Sequence, residues 1–219
     1  SITDTDNVSS GGYDNVIDQF VHALKDGLIL DCGAGNKSFF LPNVINYEIV
    51  AYPSTDVLGV CEKLPFKNDT FDAVISIAVL EHVVDPFKCA SEIVRVLKPG
   101  GRLLCQAPFM IPYHGYPHHY YNMTDEGLIN LFNGLIVESC SVPLHGHPIF
   151  ALSSLLNIWC SGLPPKDLAH FKNIRVGDLL NPGETYLCET FASNLPQQSQ
   201  KLIGAINFLI ATKPFPYSH

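Results

Sequence analysis

The chain has 219 residues, 47% hydrophobic and 16% charged, a balance that excludes a disordered polymer and suits one domain with a sizeable core. A net charge of −8, with no local cluster of Lys or Arg, excludes the electrostatic footprint of a nucleic-acid or anionic-membrane binder and favours a small-molecule partner. No apolar run is long enough to span a bilayer and no signal peptide is visible, so a cytoplasmic protein is expected.

Residues 1–12 are polar, end in Ser9-Ser10-Gly11-Gly12 and read as a mobile leader. Val16, Ile17, Phe20, Val21 and Leu24 fall at helical spacing and predict a helix over 13–25. Leu28, Ile29 and Leu30 then read as a strand buried on both faces, and Asp31-Cys32-Gly33-Ala34-Gly35 turns sharply where an α/β sheet binds its ligands. Two glycines one residue apart allow positive φ and close approach to a ligand. Segment 36–42 is short for a crossover helix; strands are predicted at 45–50, with Glu48 near the carboxyl end, and at 56–60.

The clearest unit follows. Residues 71–78 read as a buried strand; Pro86 opens a helix running to Leu97, Lys98-Pro99-Gly100-Gly101 stops it, and 102–107 is the next strand. Strands alternating with helices imply a parallel sheet wound on both faces. Thr124 caps a helix over 124–132, and 135–142 reads as another strand. Segments 149–159 and 165–172 look helical, the first apolar nearly all round and therefore buried or at an interface; a final strand is predicted at 206–212. The seven cysteines, with no CxxC pair and several in apolar runs, read as buried reduced thiols.

Four pieces occur in one order: LDCGAG (30–35), LPFKNDTFDAVIS (64–76), VLEHVVDP (79–86) and EIVRVLKPGGRL (92–103). As a set they resemble the class I S-adenosylmethionine-dependent methyltransferases, specifically the small-molecule group called methyltransferase type 11. The resemblance covers residues 28–142 and implies a Rossmann-like doubly wound sheet of about seven strands, the last antiparallel. Helices would lie on both faces, with a helical insertion before the last strand. On that frame 13–219 is a single methyltransferase domain, with 28–142 the cofactor-binding core and 143–205 a helical lid or interface insertion.

The resemblance also implies site roles. Asp31, Gly33 and Gly35 would line the methionine end of S-adenosyl-L-methionine, Glu48 the ribose hydroxyls, Cys61 and Glu62 the adenine, and Ile77 and Ala78 the space beneath the sulfonium. A carboxylate ending the second strand suits vicinal hydroxyls independently, since it offers acceptors with no competing donor. Two positions depart from the family pattern. Lys37 replaces the third glycine and brings an ammonium toward the cofactor's carboxylate; Val60 stands where an acidic residue usually holds the adenine amino group, leaving adenine to the backbone and Glu62.

The loop 108–124, PFMIPYHGYPHHYYNMT, follows the fifth strand, and type 11 proteins with a similar H-G-x-P-x-x-Y-Y stretch imply that it caps the acceptor pocket. His119 and His114 are the candidate general bases, since a neutral imidazole accepts a hydroxyl proton at physiological pH. His82, Tyr113, His118, Tyr120 and Tyr121 are candidate acceptor-binding residues, and aromatic faces attract a sulfonium. The alternative for each is a structural role in a rigid lid. His145 and His147 lie two apart, but no carboxylate or cysteine stands beside them at ligand spacing, so no metal is expected.

Two functions stay open: an enzyme that methylates oxygen, nitrogen or carbon of a small molecule, and a catalytically inactive methyltransferase-fold domain that binds or scaffolds. A dehydrogenase fits Gly33 and Gly35 but has Ser38 in place of its third glycine. A homodimer, or a further domain in a longer chain, also stays open.

Overall fold

Four consecutive buried residues, Ile29–Cys32, form β1, the middle strand of a five-stranded parallel sheet. Its neighbours are β2 (Val44–Glu48), β3 (Val57–Leu58), β4 (Phe71–Ile77) and β5 (Leu97–Gln106), in the spatial order β3-β2-β1-β4-β5. The computed structural model describes residues 12–115 and 118–205, which fall into two compact units, Ser1–His147 and Pro148–His219. The sheet lies in the first unit.

Strand alternation sends successive side chains to opposite faces. Ile29 therefore joins Ile17 and Val21 of helix α1 (Asn15–Ala23) in one cluster, while Leu30 joins Ala90, Ile93 and Val96 of α2 (Pro86–Val96) in the other. With both faces covered, β1 has no solvated side, which is why its sequence is continuously apolar up to Asp31. The helix ends follow capping chemistry: Asp14 accepts from the amides of Val16 and Ile17, Asp85 from Lys88, and Thr124 from Gly127 at the start of α3 (Asp125–Leu131).

The doubly wound parallel sheet matches the sequence reading, but its strand count differs. Segment 135–142 is not a strand: Ile136 is 96% exposed and Val142 71%, so no apolar face is there to hold the segment in a ladder. The ion pair of Glu138 with Arg102, at 2.7 Å, links it to the edge strand β5. The sheet has five strands among the described residues, all parallel, and the predicted last strand at 206–212 lies outside them. Between β1 and β2 the described chain runs without a helix, in keeping with the short segment there.

The second unit contains α4 (Pro148–Gly162), α5 (Pro165–Phe171), α6 (Thr190–Ser193) and α7 (Gln197–Ile203). Its core is Leu163, Phe171, Phe191 and Leu195; Trp159 stacks on Phe171 and donates its indole N–H to the Phe191 carbonyl at 2.9 Å. Of the two placements expected for the apolar helix α4, the buried one is not found: no residue of it is buried, and Ile149, Phe150 and Leu152 are exposed. Cysteine burial is also mixed, with Cys32, Cys61 and Cys89 buried but Cys140 and Cys188 exposed.

Candidate active site

The strand order reverses between β1 and β4, and an open α/β sheet takes its ligands outside the carboxyl ends of the strands at such a switch point. Left-handed backbone concentrates there. Gly33 (φ 84°) and Gly35 (φ 64°) follow β1, and Ala78 (φ 54°), a residue with a Cβ, follows β4. A Cβ on Gly33 would run into Val79, so the glycine also lets the two turns touch. Ala78 is exposed and is held by its N–H to the Gln106 carbonyl at 3.0 Å.

The polar groups of the first turn are satisfied from within. Asp31 Oδ2 accepts the Tyr13 hydroxyl at 2.6 Å and lies 2.8 Å from Lys37 Nζ, with both side chains of the ion pair only 4% exposed. Burial, followed by the charge of Asp31, drives the Tyr13 hydroxyl far above its usual range, so it stays a proton donor. Lys37 also sits 4.2 Å from the centre of the Tyr13 ring, a cation–π contact. Glu48 is buried at the end of β2; one oxygen accepts from Gly35 N–H at 2.8 Å and the other from Ile49 N–H at 2.8 Å. A carboxylate has about four lone-pair sites, so acceptor capacity is left over.

Beyond β3, Cys61 is buried and its sulfur is 3.1 Å from that of Cys32; this hydrogen bond, with burial behind it, holds the Cys32 thiol well above its usual range. Glu62 accepts from Val84 N–H at 3.2 Å. Ile49 and Val60, 42% and 46% exposed, present apolar surface next to the carboxyl ends of β2 and β3. Such surface suits a flat heterocycle in place of the missing acidic partner.

On the other side, the loop 108–124 is strapped to the turn after β4. Tyr120 and Tyr121 both donate backbone N–H to the Glu81 carbonyl, at 2.7 and 3.3 Å, and the Tyr121 hydroxyl donates to the Val84 carbonyl at 2.9 Å. This brings His82, His114 and His119 together: ring centres lie 5.3 Å apart for His82 and His114, and 4.4 Å for His114 and His119. Tyr113 stacks on His119 at 5.4 Å, and His118 lies against Tyr120 at 5.3 Å.

The hydrogen bonds assign the tautomers. His119 accepts at Nδ1 from His114 N–H (3.1 Å), so its Nε2 carries the proton, shared between the Tyr121 carbonyl and Asn122 Oδ1. Both of its nitrogens are engaged. His82 and His114 do the reverse, donating from Nδ1 to the His118 carbonyl (2.7 Å) and the Pro112 carbonyl (2.9 Å), which leaves each Nε2 with a lone pair. Burial lowers the pKa of both, favouring the neutral ring.

Glu81 was not among the residues singled out from sequence, although it lies beside His82 in the LEHV piece. It is fully buried, and neither carboxylate oxygen has a hydrogen-bond partner from another described residue. Burial pushes its carboxyl up to about 7, partly offset by its own backbone N–H. His145 belongs elsewhere: its ring nitrogens meet Asp14 (2.9 Å) and Gln106 (2.7 Å).

Residues 30–105 match the methyltransferase-domain family. An uncharacterized methyltransferase of Mycobacterium tuberculosis is 31% identical over 109 residues, covering 45% of this chain and 40% of the relative. The demethylmenaquinone methyltransferase of Streptomyces avermitilis is 46% identical over 65 residues, 26% of this chain and 28% of the relative. The chain spans at most two fifths of the length of the curated relatives it matches. Among solved structures, the 1,6-didemethyltoxoflavin-N1-methyltransferase of Burkholderia thailandensis, with S-adenosylhomocysteine bound, superposes with a TM-score of 0.45 at 19% identity, over 55% of this chain and 65% of that one.

Proposed function

We propose, from the premise that residues 30–105 form a methyltransferase domain of the class I, S-adenosylmethionine-dependent kind, that the chain transfers a methyl group from that cofactor to a small-molecule acceptor. One observation carries the reading: the left-handed residues Gly33, Gly35 and Ala78 flank the switch point of the sheet, where a ligand can approach backbone closely.

The residues present fit the cofactor. Asp31, Gly33 and Gly35 line its methionine end, with the Lys37 ammonium paired to Asp31 behind them. Glu48 supplies ribose acceptors from its spare lone pairs; Cys61 and Glu62 border the adenine against the apolar surface of Ile49 and Val60. Ile77 and Ala78 lie under the sulfonium. When bound, S-adenosylmethionine supplies an electrophilic methyl, so the chain's own task is alignment. The loop residues Tyr113, His118, Tyr120 and Tyr121 wall the acceptor side with exposed polar and aromatic surface. His114 and His82 keep neutral Nε2 atoms beside Glu81, while His119 holds the loop in shape through both nitrogens. The acidic chain disfavours a nucleic-acid acceptor, and the menaquinone-related enzyme favours a small organic one.

Calorimetric titration with S-adenosylmethionine and with its demethylated product tests the reading. Micromolar binding, weakened at least 10-fold in Glu48→Ala, is the expected result. No binding of either molecule would favour a second reading, a methyltransferase-fold binding domain, for which Val60 and the self-closed Asp31–Lys37 pair are the observations.

A further inference from the structure

We propose that Glu81, His82 and His114 form a binding site for a divalent first-row cation of the zinc or iron(II) class. The Glu81 carboxylate is wholly buried with both oxygens unpartnered among the described residues, an arrangement that costs stability unless something positive or hydrogen-donating meets it. Its Oε1 lies 3.8 Å from His82 Nε2 and 3.9 Å from His114 Nε2, and one ligand atom from each of the three residues falls within 4.8 Å of the others.

The orientation of the rings matters as much as the distances. Each imidazole donates its Nδ1 proton to a backbone carbonyl, of His118 and of Pro112, so each turns an unprotonated Nε2 toward the carboxylate. A backbone carbonyl fixing one ring nitrogen so that the other can ligate is the usual outer shell of a metal-bound histidine. With Glu81 ionised, the three facing atoms are all acceptors, and a cation is a natural partner of acceptors alone. Donor atoms about 3.3 Å apart are what ~2.0 Å bonds in tetrahedral geometry require, so the observed spacing closes by small side-chain rotations.

The backbone is shaped around this cluster. Gly115 has φ 88°, and a Cβ there would strike the His82 ring. Two imidazoles and one carboxylate suit zinc and iron(II) better than magnesium, and they leave coordination positions open for water or an acceptor oxygen. That last consequence rests on the methyl-transfer reading; cation binding itself does not.

The test uses the whole chain, stripped with chelator and titrated with Co2+, which reports a mixed nitrogen and oxygen site through its visible absorption, and with Zn2+ by calorimetry. One equivalent is expected to bind, with Zn2+ displacing Co2+. Affinity should fall by more than the roughly 10- to 100-fold that outer-shell changes cause in Glu81→Gln and in the loop variant His114→Asn, each checked for folding by circular dichroism. His145→Ala should bind as the parent does. Absence of saturable binding to the parent chain, or binding unchanged in a folded His114→Asn, overturns the proposal. Neither readout involves S-adenosylmethionine, so its failure is separate from failure of the methyl-transfer reading.

Discussion

The two sides of the candidate site handle buried polarity in opposite ways. Around β1 and β2, Asp31 and Glu48 spend their oxygens on Tyr13, Lys37, Gly35 and Ile49, so the turn is internally satisfied. After β4, Glu81 is more deeply buried and has no such partners among the described residues, while the lone pairs of two histidine nitrogens face it. Satisfied groups hold a resting shape; unsatisfied ones point to something that arrives. The contrast separates carboxylates held in place by partners within the turn from one without such partners, and it turns on hydrogen bonding, since residue type alone is the same on both sides.

Mutations can break this contrast. The largest expected effect is Lys37→Met, which leaves the buried Asp31 without its cation and should cost about 3–5 kcal/mol in denaturant unfolding, with an unchanged slope. Gly33→Ala comes next: roughly 1–2 kcal/mol for a left-handed residue with a Cβ, plus 1–3 for overpacking against Val79, read as a lower unfolding midpoint. On the other side the sign should reverse. Glu81→Leu in chelator-treated protein removes an unpartnered buried carboxylate and should raise stability by about 1–3 kcal/mol, while abolishing cation binding. A loss of stability there would erase the contrast.

The smallest effect is a calibration outside the site. Asp72 accepts from Lys98 and from Leu28 N–H, both of which hold its carboxyl below the usual range. A depressed folded pKa gives stability that is present above the unfolded value and lost as pH falls through the folded one. Asp72→Asn should therefore cost under about 1 kcal/mol at pH 7, with the gap closing below about pH 4 in urea titrations.

What could be read from sequence was whatever repeats at short range. The apolar run before Asp31, Pro86 at a helix start and Thr124 as a cap each follow from a few neighbouring residues; the buried strand at Ile29 and Leu30, the helix start and the cap are found in place, while Leu28 is exposed just before the strand. Segment 135–142 reads as a strand on the same local grounds, yet pairing needs a neighbour to bury against, and among the described residues nothing covers Ile136. For helix α4, composition reports how apolar the helix is without saying what covers it. In the site, the histidines of the loop were visible as a cluster in sequence. The engagement of both nitrogens of His119 was not, nor was the isolation of Glu81, because each depends on carbonyls and amides brought in from distant positions.

The bonds from Tyr120 and Tyr121 to the Glu81 carbonyl have a dynamic consequence. The loop cannot lift without exposing those amides, so their hydrogen exchange reports its opening directly. Met123, whose N–H is held by the Pro108 carbonyl at 2.8 Å, closes the base of the same loop. These amides should exchange as one unit, at a lower opening free energy than the amides of β4, and a ligand on Glu81 should slow them together.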